Sequence, residues 1–258
     1  MPPRFTAAGF TDPGRIRPRN EDTFIADPEL GLAIVADGMG GHRAGHIASA
    51  MATAELRRQL TAQGPLPSSR GARTGSPSPL RERMADAVRS ADARVRSDAA
   101  SAPDRAGMGT TLTALVVRCE ELHTIIGHVG DSRAYLYEKK QLRQLTRDHT
   151  WVQEQVDRGA LPVERVTDHP WGHVLTQGVG VGDDISPELL EQDASPGQLY
   201  LLCTDGLTTM LPDTALERTI TEALPGGLDA TARALVAEAN ERGGLDNITV
   251  VLVSLEKE

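Results

Sequence analysis

Three apolar runs of strand length each end on an aspartate beside a glycine: Leu32-Ala33-Ile34-Val35-Ala36-Asp37-Gly38, Ile125-Ile126-Gly127-His128-Val129-Gly130-Asp131 and Leu199-Tyr200-Leu201-Leu202-Cys203-Thr204-Asp205-Gly206. A fourth run, Ile248-Thr249-Val250-Val251-Leu252-Val253, is opened by Asp246-Asn247. Such runs read as strands, and carboxylates delivered by strand ends are rigidly placed. With Glu21 and Asp22, these positions give six acidic residues at the meeting of apolar runs and turns, a pattern that predicts one shared anionic site. Clustered carboxylates repel one another unless a positive group neutralises them, and hard divalent cations with oxygen ligands do this best. The pattern therefore predicts a magnesium or manganese site.

The chain has 258 residues, 39% of them hydrophobic, enough for one compact catalytic domain with a sizeable core. Its formal net charge of −9 argues against nucleic acid or an anionic membrane as partner, since either would need clustered Lys and Arg. Only two cysteines occur, Cys119 and Cys203, each in or beside an apolar run. A disulfide framework is not expected, and a reducing compartment fits. No run approaches the roughly 20 apolar residues of a membrane span, and Met1-Pro2-Pro3-Arg4-Phe5 has no apolar leader, so the expectation is a cytoplasmic protein.

Residues 64–79 combine Gly, Pro, Ser and Thr without apolar period and predict a mobile surface loop. Helical spacing flanks it, with Ile47, Met51 and Ala54 before and Leu80, Met84, Ala87, Val88, Ala91 and Val95 after. Strands are predicted over Thr111 to Arg118, Leu122 to Val129 and Arg133 to Tyr137, with connectors short enough for antiparallel neighbours. Thr150 is placed to cap a short helix to Arg158, and the irregular stretch up to about Gly182 is a candidate flap. A last helix is expected over Leu228 to Glu241, stopped by Arg242-Gly243-Gly244.

Taken in order, Arg17-Pro18-Arg19-Asn20-Glu21-Asp22, Asp37-Gly38-Met39-Gly40-Gly41, Met108-Gly109-Thr110-Thr111, Gly130-Asp131-Ser132-Arg133, Thr204-Asp205-Gly206-Leu207 and Asp246-Asn247 resemble the motifs of the type 2C protein phosphatases, the PPM family, in its bacterial form. The resemblance runs from about residue 5 to 255 and implies a single catalytic domain there. The implied fold is α+β, a four-layer α-β-β-α sandwich with two central antiparallel sheets flanked by helices. The implied activity is metal-dependent hydrolysis of phosphoserine and phosphothreonine by a metal-bridging hydroxide, without a phosphoenzyme. By motif position Asp37 resembles the carboxylate bridging two manganese or magnesium ions, the Gly38 carbonyl a further ligand, and Asp205 and Asp246 the remaining direct ligands. Glu21 and Asp22 resemble the partners of metal-bound waters, Asp131 the ligand of a weak third ion, and Arg17 the clamp on the substrate phosphate, for which a planar guanidinium is suited.

Two positions depart from the family pattern. Met39 stands where eukaryotic members commonly carry a histidine proposed to protonate the leaving alkoxide, so His169 or His173 in the flap is the candidate proton donor and substrate contact. Thr209 stands where relatives often carry an acidic residue, which predicts a weak third site. Arg133 is as readily a structural ion pair as a substrate contact, and His128 and His149 are expected to be structural. The expected partners are phosphorylated proteins, a serine/threonine kinase and its targets. Two alternatives stand beside this reading: a non-catalytic phosphoprotein-binding regulator with the same fold, which would ordinarily lack principal carboxylates, and a two-metal hydrolase of nucleotides or nucleic acid, disfavoured by the acidic charge.

Overall fold

Continuous apolar runs become strands covered on both faces, because each lies in a sheet sandwiched between another sheet and a layer of helices. The computed structural model describes residues 4–40, 44–62, 64–69, 77–166, 169–182 and 184–256. In chain order these form strands β1 (Arg4–Asp12), β2 (Thr23–Asp27), β3 (Leu32–Ala36) and β4 (Gly38–Met39), then helices α1 (Gly45–Thr61) and α2 (Pro79–Ser101). Strands β5 (Gly109–Thr110), β6 (Leu112–Arg118), β7 (His123–Val129), β8 (Arg133–Glu138) and β9 (Gln141–Gln144) follow, then helix α3 (Trp151–Asp157) and strands β10 (Glu188–Asp193) and β11 (Leu199–Cys203). Helices α4 (Asp205–Thr208), α5 (Asp213–Ala223) and α6 (Leu228–Glu241) precede the closing strand β12 (Ile248–Glu256).

One sheet has the order β1-β12-β11-β8-β9 and the other β10-β7-β6-β3-β2, with every neighbouring pair antiparallel. The period of two in each strand divides its side chains between two cores. Ile34 and Ala36 of β3 pack with Ala48, Leu56, Met84 and Val88 of α1 and α2, while Ala33 and Val35 face the other sheet with Leu202, Val251 and Val253. On that sheet Leu201, Val250 and Leu252 turn outward to Leu216, Leu235 and Val236 of α5 and α6. The result is the expected α-β-β-α order of layers. Cys203 is buried in the second helix-covered core and Cys119 packs between the sheets, both as free thiols. Among the described residues no helix is long and apolar enough to cross a membrane.

Ser78 starts α2 by accepting a hydrogen bond from the Arg81 amide at 3.0 Å, with Pro79 in the first turn where its missing N–H is not needed. The predicted mobile loop divides differently from the expectation. Residues 70–76 lie outside the described residues, whereas 64–69 are tethered: the Ser69 amide and hydroxyl donate to Glu121 Oε2 at 2.9 and 2.6 Å, and the Leu80 amide donates to the Ser68 carbonyl at 3.2 Å. A polar, breaker-rich composition here builds a fixed turn because its backbone finds partners.

The flap leaves and returns over a narrow base. Thr150 caps α3 through the Gln153 amide at 3.3 Å, as the sequence predicts. Trp151 N donates to Val174 O and Thr176 N to His149 O, both at 2.8 Å, which bridges Thr150 to Leu175. Further on, Thr110 and Val179 exchange two amide hydrogen bonds of 2.9 and 2.8 Å. Since β5 also pairs with β4, the returning arm is stitched through Thr110 to the Asp37-Gly38-Met39 turn. Residues 167–168 of the flap lie outside the described residues.

Candidate metal centre

Each carboxylate of the predicted set is carried by an element end at the same edge of the sandwich. Asp37 follows β3, Asp131 lies between β7 and β8, Asp205 opens α4 after β11, Asp246 precedes β12, and Glu21 and Asp22 precede β2. Backbone bonds hold these turns. The Asp37 amide donates to Thr111 Oγ1 at 2.9 Å, and its carbonyl accepts from the Thr111 amide at 2.9 Å and Thr110 Oγ1 at 2.8 Å. Asn247 clips the Arg17-bearing segment to Asp246: its Oδ1 accepts from the Glu21 amide at 2.8 Å, and its Nδ2 donates to the carbonyls of Pro13 and Arg19 at 3.0 and 2.9 Å.

The cleft so formed is lined by Arg17, Glu21, Asp37, Gly38, Asp131, Asp205 and Asp246, together with Met39, Thr111, His173 and Asn247. Asp22 sits behind it. Its Oδ2 accepts hydroxyl hydrogen bonds from Thr204 at 2.8 Å and Thr249 at 2.6 Å, while its Oδ1 is buried with no hydrogen-bond partner. Asp205 Oδ1 is likewise buried and unpartnered. Arg17 Nη2 donates to Asp246 Oδ2 at 2.6 Å, and that contact, more than any other, raises the guanidinium pKa.

Burial is the largest influence on the acidic groups, and repulsion within the cluster adds to it. Together they hold Asp37 and Asp131 well above the usual carboxylate range, and burial lifts Asp205 and pushes Asp22 up to about 7. Orphaned buried oxygens on two carboxylates are costly without a positive partner. The donors present are hard oxygens, which fit a magnesium- or manganese-like ion better than a soft one. Glycine is required at two points of the cradle. A Cβ at Gly38 would lie 2.2 Å from the Gly45 carbonyl oxygen and 2.6 Å from that of Glu21, and one at Gly206 only 1.9 Å from the Asn247 carbonyl oxygen. These residues fit a divalent cation.

The remaining candidates separate. His173 lines the cleft, but His169 does not: its ring packs on Trp151 and Trp171, at centroid distances of 5.3 and 6.1 Å, and its Nδ1 accepts from the Trp171 amide at 3.1 Å. Arg133 is a half-buried structural pair, donating from Nε and Nη2 to Asp148 at 2.9 and 2.7 Å. Thr209 is exposed on α4's C-cap. Behind Gly130, His128, His149 and Glu188 bring possible ligand atoms within 4.8 Å of one another, a pairing the sequence does not reveal. Each already has a hydrogen-bond partner: His128 Nδ1 pairs with Thr113 Oγ1 at 2.9 Å and His128 Nε2 with the Arg147 carbonyl at 3.1 Å, His149 Nδ1 accepts from the Gly130 amide at 3.2 Å, and Glu188 Oε2 accepts from the Arg147 amide at 3.1 Å. Burial pushes His128 down to about 3, so the ring is neutral and braces the turn that carries Asp131. Thr111, Thr204 and Asn247, which stand in the motifs, and Thr249 have supporting roles that sequence reasoning missed; their signal is a small polar residue next to a carboxylate or opening a strand.

The protein phosphatase 2C family profile matches residues 19–238. Serine/threonine phosphatase stp of Listeria monocytogenes is 36% identical over 246 residues, covering 94% of this chain and 93% of that protein. Protein phosphatase PhpP of Streptococcus pneumoniae is 34% identical over 252 residues, covering 96% and 97%. The crystal structure of the Mycobacterium tuberculosis phosphatase PstP superposes with a TM-score of 0.86 at 33% identity, covering 98% of this chain and 100% of that one. The catalytic domain of PstP in complex with two manganese ions gives a TM-score of 0.83 at 32% identity, covering 99% and 100%.

Proposed function

Because the chain belongs to the protein phosphatase 2C family and is a metal-dependent serine/threonine phosphatase of the bacterial type, we propose that residues 5–255 form one catalytic unit whose centre is the cleft described above. In this reading Asp37, the Gly38 carbonyl, Asp205 and Asp246 hold two manganese or magnesium ions. Glu21 and Asp22 orient water at them, and Asp131, without an acidic partner at Thr209, takes part in a weak third site. The supporting observation is the convergence of carboxylates from four strand ends on one cleft, with buried Asp205 Oδ1 left without any protein partner. Bound cations would supply a water of lowered pKa and positive charge for the phosphoryl oxygens.

The chain's own groups do the rest. Arg17 is held by Asp246 in this arrangement, and were that carboxylate to hold a cation the guanidinium would be free to grip two oxygens of the substrate phosphate. Met39 cannot donate a proton to the leaving seryl or threonyl oxygen, and His173 is the cleft residue that can. Substrates are phosphorylated proteins, and their source in this reading is a cytoplasmic serine/threonine kinase. The non-catalytic alternative is not favoured, since every principal carboxylate is in place.

The reading is tested by phosphate release from a phosphothreonine peptide with manganese, with magnesium and with chelator; release that persists after chelation would contradict it. Arg17→Ala is expected to lower kcat/KM about 10 to 100-fold, mostly through KM, with Arg17→Lys recovering little of it because a point charge cannot make the bidentate contact. Steady-state kinetics at saturating manganese decide this. For the proton, His173→Ala is expected to alter the pH dependence of kcat and His169→Ala to leave it unchanged; the same profile in both variants would remove His173 from the reaction.

A further inference from the structure

Large exposed apolar side chains are few among the described residues, and four of the six stand one or two positions along the chain from a residue that lines the cleft. Ile16, 65% exposed, adjoins Arg17; Leu245, 54% exposed, adjoins Asp246; Trp171 and Val174, 54% and 42% exposed, stand on either side of His173. Arg17, Asp246 and His173 all line the cleft. The first two apolar residues lie on loops held side by side by the Arg15 amide to the Gly244 carbonyl at 2.7 Å and by Asn247 Nδ2 to the Pro13 carbonyl at 3.0 Å. The second two lie on the returning arm of the flap, fixed by the Trp151 amide to the Val174 carbonyl at 2.8 Å and by the edge-on contact of Trp171 with Trp151 at 4.8 Å. None of the four belongs to the three cores. A scattered exposed apolar residue needs no explanation, but a group gathered at the rim of a charged cleft marks an interaction surface.

We propose that this rim docks the apolar side chains that flank a phosphoserine or phosphothreonine in an extended segment of the substrate protein. The inference rests on the phosphatase reading and adds to it a substrate preference. Its occupant follows from continuity with the cleft: an extended chain advances about 3.3 Å per residue, so when the phosphorylated side chain enters, the residues one to three positions away emerge over the rim. The floor of the cleft is charged and recognises the phosphate that all substrates share. Discrimination between substrates falls to the apolar rim, where each buried side chain adds affinity in proportion to the area it covers.

The test uses the full chain with manganese on two phosphothreonine peptides, identical except for leucine or serine at the positions on either side of the phosphoresidue, with para-nitrophenyl phosphate as the reference substrate. The unaltered protein is expected to favour the leucine peptide about tenfold in kcat/KM, through KM, and the double variant Ile16→Ser, Leu245→Ser to retain only about a twofold preference. The ratio of the serine peptide to para-nitrophenyl phosphate should move little. A Val174→Ser variant repeats the measurement from the flap side. Equal use of the two peptides by the unaltered protein, or a full preference in both variants, would overturn the docking surface and leave the phosphatase reading standing. No hydrolysis of any substrate by the unaltered protein would overturn both. A dimer in light scattering that the double variant disperses would instead assign the rim to a second copy of this chain.

Discussion

Asp205→Asn is expected to lower kcat for a phosphothreonine peptide at least about a thousandfold at saturating manganese, because in the proposed centre it would remove a charged cation ligand while keeping the size and shape of the side chain. The same variant carries a second expectation of opposite sign. Asp205 is buried, its Oδ1 has no partner, and it is repelled by Asp246, so the neutral amide should raise the melting temperature of the chelated protein. Loss of activity with a gain in metal-free stability separates a ligand from a structural residue, whose loss would lower both. Activity within about tenfold of the unaltered protein would remove Asp205 from the centre.

The second large effect is on stability. In chelator, the melting temperature should fall as the pH is raised from 5 to 8; with manganese the fall should be absent or reversed. The sign comes from Asp22, whose folded pKa is pushed up from 3.8 to about 7, chiefly by burial. A raised carboxyl favours the protonated folded state, so its stabilising contribution is complete below the unfolded value and is lost as pH rises through about 7. The full shift corresponds to about 4 kcal/mol, of which roughly 3 kcal/mol is lost between pH 5 and about 7, a fall in melting temperature of somewhat under about 10 °C for a chain of this length. Cations bind the deprotonated carboxylates and so reverse the gradient. Melting curves at several pH values with and without chelator decide it, and a chelated protein that gains stability towards pH 8 would contradict it.

Much of this centre was legible because its carboxylates end runs such as Leu32–Ala36 and Leu199–Cys203 that are apolar at every position, and runs of five residues beside a glycine turn fit doubly covered strands better than helices. The helix from Leu228 to Glu241 and the Thr150 cap were legible for the same reason: local chemistry and tertiary position agree. Strands β1, β2, β9 and β10 were not. Each lies at the edge of its sheet, and their partly covered residues, as in Glu188-Leu189-Leu190-Glu191-Gln192-Asp193, show no continuous apolar run. Helix α5 hides behind Pro212 and a threonine-rich sequence of low helix propensity. In the site, Asn247 and Thr111 stand in the motifs, but their roles were not legible because they are bonds to backbone 226 and 74 positions away, which no local pattern encodes. His169 and His173, four residues apart, were indistinguishable until the aromatic cluster drew one of them out of the cleft.

The flap is sewn to the body at both ends of its return: His149, Thr150 and Trp151 against Val174, Leu175 and Thr176, and Val179 against Thr110. A loop whose ends are pinned in this way can change length at small entropic cost, since closure entropy grows only logarithmically with the residues enclosed. Insertions or deletions between Asp157 and Val174 would therefore leave Asp37 and its neighbours where they are. The stitched base makes the enclosed segment an exchangeable cassette, on which substrate choice and the supply of the proton can diverge while the carboxylates beneath it are inherited unaltered.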